Sequence, residues 1–137
     1  MGRRAVKITP DTNVLVRAIV GDDKRQSRLA RAALDDADCV VLTMPALCEL
    51  VWVLSRGYKI AARDIVETLR RLLNGAEVVV NRPAAEAGLA MLEAGGDFAD
   101  GVIAFEGRWL GAETFVSFDM RAVELTTAQG ELARLLA

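Results

Sequence analysis

Apolar positions along the chain fall into two kinds of run. Short β-rich runs at residues 5–9 (AVKIT), 39–43 (CVVLT), 78–80 (VVV) and 113–118 (ETFVSF) each predict a strand, the first stopped by Pro10. Longer stretches with apolar residues three and four apart lie between them. Residues 11–20 (DTNVLVRAIV) predict a helix opened by Asp11 or Thr12 and closed by Gly21. Residues 22–36 predict a second, with Leu29, Ala30, Ala33 and Leu34 at helical spacing. Pro45 suits the first helical position of a helix over 45–54. Further helices are predicted over 61–73, ended by Asn74-Gly75, and over 83–94, followed by the Gly95-Gly96 break. Asp97 opens another that runs to residue 110, and the C-terminal stretch 127–136 reads as a last helix.

Strands thus alternate with helices from end to end. Apolar strands separated by helices indicate an α/β fold, a three-layer α/β/α sandwich with a mainly parallel sheet. No repeat, low-complexity tract or long Pro/Gly/Ser linker divides the chain, so residues 1–137 read as a single domain. In such sheets ligands bind beyond the carboxyl ends of the strands, so the residues that follow strands carry the functional question.

Composition narrows the chemistry. The 137 residues are 53% hydrophobic and 26% charged, a balance that fits neither intrinsic disorder nor a membrane protein. No apolar stretch approaches the roughly 18 residues that span a bilayer, and the start carries no signal-peptide core. A soluble cytoplasmic protein is expected. Cys39 and Cys48, nine positions apart in an apolar region, match no metal or disulfide pattern and read as packed thiols. The chain has no histidine, which removes Ser-His and Cys-His catalysis and the common zinc centres. A net charge of −2 offers no global attraction for nucleic acid, so a polyanionic substrate needs a local basic patch or a metal.

The acidic residues are placed where chemistry is expected. Asp11 follows the first strand and Asp119 the fourth. Glu49 lies about one helical turn, ~6 Å, into the helix after the second strand. Asp97 and Asp100 share one face of a later helix's first turn. Each has a local explanation too: Asp11 and Asp119 as helix N-caps, Asp97 with Asp100 as a capping pair favoured by the helix dipole. Glu49 is the only charged residue between Cys39 and Ser55, which suggests a buried or half-buried carboxylate in need of a cation. Two like charges ~4 Å apart repel by about 4 kcal/mol at an effective dielectric of 20, so a cluster of such acids calls for a shared ion. Hard oxygen ligands without His or Cys suit Mg²⁺ or Mn²⁺.

The segments PDTNVLVRAIV (10–20), ALCELVWVL (46–54), DFADGVIAF (97–105) and TFVSFD (114–119) resemble, in this order, those of PIN-domain ribonucleases, and within them VapC-type toxins of toxin-antitoxin pairs. The resemblance implies an acidic quartet of Asp11, Glu49, Asp100 and Asp119, with Asp97 as a further acid at the metal. It implies that Thr12, Asn13 and Ser117 orient these acids. It also implies strand order 3-2-1-4-5, homodimerisation, and inhibition by a cognate antitoxin. Gly101 stands where many relatives have alanine, a departure expected to loosen its helix.

The implied reaction is hydrolysis of RNA phosphodiester bonds by a water that the cation activates, without a covalent enzyme intermediate. Arg25, Arg28 and Arg31, recurring every three residues, offer contacts for RNA or antitoxin; Arg17, Lys59 and Arg108 are further candidates without informative spacing. Trp52 and Trp109 sit at apolar helical positions and read as core or dimer-interface residues. Two other functions fit less well. A receiver domain needs an Asp after the third strand and a Lys after the last, where this chain has Asn81-Arg82 and Asp119. A flap-type DNA nuclease needs more length and a basic clamp. A non-toxin PIN-like protein that binds RNA or a protein partner without cleavage is the remaining alternative.

Overall fold

The structure, a computed structural model, describes residues 5–137. Its contacts divide the chain into two compact units, Met1–Asn81 and Arg82–Ala137.

The first unit is built on a parallel sheet. Strand β1 (Lys7–Ile8) pairs with β2 (Cys39–Leu42), and β2 with β3 (Val78–Val80), all parallel. The register sets Lys7 against Cys39 and Val40 against Val78. Helices α1 (Thr12–Val20) and α2 (Lys24–Asp36) connect β1 to β2, and α3 (Met44–Trp52) and α4 (Ala62–Leu73) connect β2 to β3. This is the helical crossover that parallel pairing demands. Side-chain oxygens cap three of these helices: Asp11 for α1, Asp23 for α2 and Thr43 for α3. Helix α1 ends at Gly21, whose φ of 73° is a left-handed conformation that glycine adopts without penalty. The core gathers Leu15, Leu47, Leu50, Leu54, Ile65 and Leu69, all fully or almost fully buried.

Helix α3 does not end cleanly. It widens into a π-helical turn over Val53–Gly57, closed by Tyr58 N–H donating to the Val53 carbonyl at 3.1 Å. The Tyr58 hydroxyl then donates to Asp22 Oδ2 at 2.8 Å, while Arg17 Nη1 pairs with Asp22 Oδ1 at 2.8 Å. Tyr58, followed by Arg17, holds the Asp22 carboxyl below its ordinary range. This three-residue link ties the end of α1 to the turn after α3. The even apolar pattern of residues 45–54 gives no sign of the widening.

In the second unit, α5 (Arg82–Glu93) packs on α6 (Phe98–Trp109), and β4 (Phe115–Ser117) pairs in parallel with β5 (Ala133–Leu135) across α7 (Met120–Ala128). Glycines set the α5–α6 distance. A Cβ on Gly88 would fall 2.6 Å from the Phe98 ring, and one on Gly101 would strike the Ala87 backbone carbonyl. The expectation that Gly101 loosens its helix is therefore not met: the absent side chain is what lets the Ala87 backbone lie against it.

The C-terminus also departs from the sequence reading. A helix over 127–136 is not formed. Asp119 caps a helix that starts at Met120, Gly130 reverses the chain at φ 86°, and residues 133–135 join β4 as a fifth strand. LARLLA has helix-forming composition, but pairing of Phe115 with Ala133 and of Ser117 with Leu135 overrides local propensity.

The fold class is α/β with parallel strands. The two sheets carry the orders β3-β2-β1 and β4-β5, each a segment of the expected order. Cys39 and Cys48 are half-buried and are not joined in a disulfide. Trp52 and Trp109, expected in a core or interface, are 59% and 78% exposed, so the core reading is wrong for both. Helical periodicity separates faces, but it cannot tell which apolar residue is left at the rim. Among the described residues no helix is long and apolar enough to cross a membrane.

Candidate active site

The ends of β1 and β4 each deliver an acid, and each of these two acids caps the helix that follows it. In the first unit, Asp11 follows β1 and its Oδ1 accepts from Val14 N–H at 3.0 Å. It is a helix cap, and Oδ2 has no hydrogen-bond partner among the described residues. Thr12, the first residue of α1, donates from Oγ1 to Glu49 Oε2 at 2.8 Å, joining residues 37 apart in sequence. Asp11, Thr12, Thr43 and Glu49 line one side and mouth of an open cleft of about 300 Å³. The same chain segment, Asp11 with Asn13, also borders a different cleft between α1 and α2. Asn13 is not brought to Glu49.

Glu49 is exposed rather than buried. Pro45, Glu49 and Trp52 are four and three residues apart, so they share the outer face of α3, while Leu47, Leu50 and Val51 turn inward. An isolated charge in an apolar run looked like a buried one because its neighbours on the outer face are a proline and a tryptophan. Its partner is a hydroxyl contributed from α1, and no lysine or arginine pairs with it among the described residues.

In the second unit, Asp97 caps α6 through Oδ1, which accepts from Ala99 N–H at 3.2 Å. Asp119 caps α7 in the same way, accepting from Ala122 N–H at 3.2 Å. Ser117 Oγ accepts from the Asp119 backbone N–H at 2.9 Å, so Ser117 fixes the main chain of that acid rather than its carboxylate. Asp100 stands in the first turn of α6, half-buried. Burial, then the charges of Asp97 and Asp119, pushes its carboxyl above the ordinary carboxylate range. Asp100 therefore feels both neighbouring acids, and no basic side chain pairs with the three among the described residues.

That electrostatic state fits a divalent cation: acid-only oxygen donors, mutually repelling and unneutralised, are the donor set of Mg²⁺ or Mn²⁺. Among the described residues no group of three or more Asp, Glu or Cys side chains is gathered closely enough to hold a metal ion. Asp100 also yields a stability prediction. Because its folded pKa is raised from 3.8, the folded chain binds that proton more tightly than the unfolded chain does. Stability is lost as pH climbs from the unfolded value through the folded one. Asp100→Asn is expected to raise the Tm of the metal-free protein at neutral pH and to match wild type in acid, as scanning calorimetry across pH would show. A variant no more stable at neutral pH contradicts the repulsion.

The basic candidates separate. Arg17 and Arg108 are engaged in ion pairs with Asp22 and Glu131, at 2.8 and 3.4 Å. Arg28 and Arg31 line a hollow of about 640 Å³ beside the end of α1 together with Lys24, while Arg25 does not. The missed signal was the spacing of positions 24, 28 and 31, which puts three cations on one helix face; a period of three spreads them around the helix. Arg31 Nε also donates to the Ala18 carbonyl at 2.9 Å, anchoring α2 to the end of α1.

Parallel strands joined by helices, with carboxylates presented just beyond β1 and β4 and in the helices that follow, define an acidic α/β protein of the nuclease type. The family model of the PIN domain matches residues 8–126, nearly all of the chain and residues of both units. The chain belongs to the PIN domain family, whose members are generally metal-dependent nucleases that use divalent ions such as Mg²⁺. No curated protein matches the sequence.

Proposed function

We propose that this protein is a Mg²⁺- or Mn²⁺-dependent endoribonuclease, the toxin of a toxin-antitoxin pair, acting in the cytoplasm as a homodimer restrained by a cognate antitoxin. The observation that carries the catalytic part is the half-buried Asp100, whose carboxyl is pushed up by burial and by the charges of Asp97 and Asp119 and which has no basic partner among the described residues, so that an added cation would favour its charged form. Asp11, Glu49, Asp100 and Asp119 serve as one ligand set, with Asp97 assisting.

A bound divalent ion supplies Lewis-acid chemistry, acidifying water and offsetting charge that builds on the leaving oxygen. The protein's own residues supply order. Thr12 holds one oxygen of Glu49, leaving the other to accept. The caps made by Asp11 and Asp119 each use Oδ1 and fix the direction in which Oδ2 is offered. Ser117 holds the main chain at Asp119, so that carboxylate does not swing with the loop. Lys24, Arg28 and Arg31 form the basic face suited to the backbone of an incoming RNA, or to an acidic stretch of antitoxin.

The test is direct. The purified chain, given single-stranded RNA with Mg²⁺ or Mn²⁺, is expected to generate new RNA ends, and chelation with EDTA is expected to stop it. DNA of the same sequence serves as control. RNA that is bound but left intact at saturating ion overturns the nuclease reading in favour of a non-cleaving PIN module.

A further inference from the structure

Asp11 borders two clefts. One holds Thr12 and Glu49; the other, of about 340 Å³, runs between α1 and α2 and has no role in the acid chemistry. We propose that this second cleft is a nucleobase pocket, which receives one unpaired base of the RNA next to the bond being cut and makes cleavage base-selective. The inference rests on the endoribonuclease reading and adds to it the substrate feature that is read.

The walls of the cleft have the composition that base recognition requires. Asn13 on α1 and Gln26 on α2 contribute side-chain amides that each both donate and accept, and neither amide has a hydrogen-bond partner among the described residues. Leu29 and Ala33 on α2 form an apolar flank; Leu29 is 57% exposed, a large cost in water that a flat ring laid against it would relieve. Arg17 also lines the cleft. Its Nη1 is committed to Asp22, and its Nε is buried with no hydrogen-bond partner among the described residues. The volume lies within the range of small-molecule pockets, too small for a folded partner to enter.

Position selects the ligand. Because Asp11 stands at the boundary of the two clefts, a group seated in the α1–α2 cleft is a near neighbour of whatever Asp11 acts on. Amide side chains read the edges of bases only after unstacking, which points to loops or single strands rather than duplex.

Gln26→Ala and Ala33→Leu, both at exposed positions of α2, test the proposal without touching any proposed metal ligand. Cleavage sites are mapped on a randomised single-stranded RNA, and rates are then measured on short RNAs that differ only at the position beside the cut. Wild type is expected to prefer one base there by about 10-fold or more, the scale of a well-made amide–base contact. Gln26→Ala should lower cleavage of the preferred RNA to the rate of the others. Ala33→Leu, which fills the cleft, should do the same and weaken binding of the preferred RNA in fluorescence anisotropy. An unchanged preference in both variants overturns the pocket while leaving the nuclease intact. If wild type cuts no RNA with any divalent ion, the nuclease reading fails instead, and anisotropy of wild type and Ala33→Leu on the same set of short RNAs decides the pocket: equal binding of all of them by wild type overturns it.

Discussion

Replacing Asp11 with asparagine is expected to reduce RNA cleavage by more than about 100-fold, beyond what loss of an outer-shell partner usually costs a metal site. The substitution is informative because Asp11 also caps α1. Asparagine caps a helix about as well as aspartate, so the bond from Val14 N–H at 3.0 Å survives while the charge is lost. Asp11→Ala removes both and is expected to cost a further 0.5–2 kcal/mol or so of stability. The pair therefore separates two roles that one carboxylate fills. Asp11→Asn should keep the wild-type Tm and lose activity; Asp11→Ala should lose both. Full activity in Asp11→Asn would reduce Asp11 to a cap.

The largest effect on stability is expected at Gly101. An alanine there drives its Cβ into the Ala87 carbonyl and to 2.9 Å from Met91 Cβ. Backbone cannot rotate out of the way as a side chain can, so α5 and α6 must part. Overpacking of this kind costs about 1–3 kcal/mol, and thermal denaturation should show a Tm lower by several degrees. The small gain in helix propensity from Gly to Ala, about 1 kcal/mol, acts in the opposite direction and is outweighed if the helices cannot separate freely. A Tm equal to or above wild type would mean that the helices slide apart at no cost. Gly88, where an added Cβ would fall 2.6 Å from the Phe98 ring, provides the comparison: a ring can tilt, so Gly88→Ala should cost less.

Much of this architecture is legible in the sequence because its signals are local. Apolar strands between helical stretches, Asp11 before α1, Gly21 after it and Asp97 before α6 mark boundaries by capping chemistry that needs no tertiary information. What escapes is non-local. Residues 133–135 become a strand because β4 offers a parallel partner, and nothing within LARLLA announces it. Glu49 and Trp52 are exposed because α3 turns that face outward, a fact that the apolar run conceals. The function of Gly101 depends on a carbonyl of another helix. The acids were legible as residues that follow strands; the hydroxyl of Thr12 on Glu49, and the link from Arg17 through Asp22 to Tyr58, appear only when the chain is folded.

The proposal that Asp11, Glu49, Asp100 and Asp119 form one ligand set is tested most directly by Mn²⁺ titration, followed by calorimetry, on wild type, Asp11→Asn, Asp119→Asn and the double variant. The account predicts that each single substitution removes the same binding event and that the double variant loses nothing more. Two separate events, one abolished by each substitution, or an unchanged isotherm in either single variant, would contradict it.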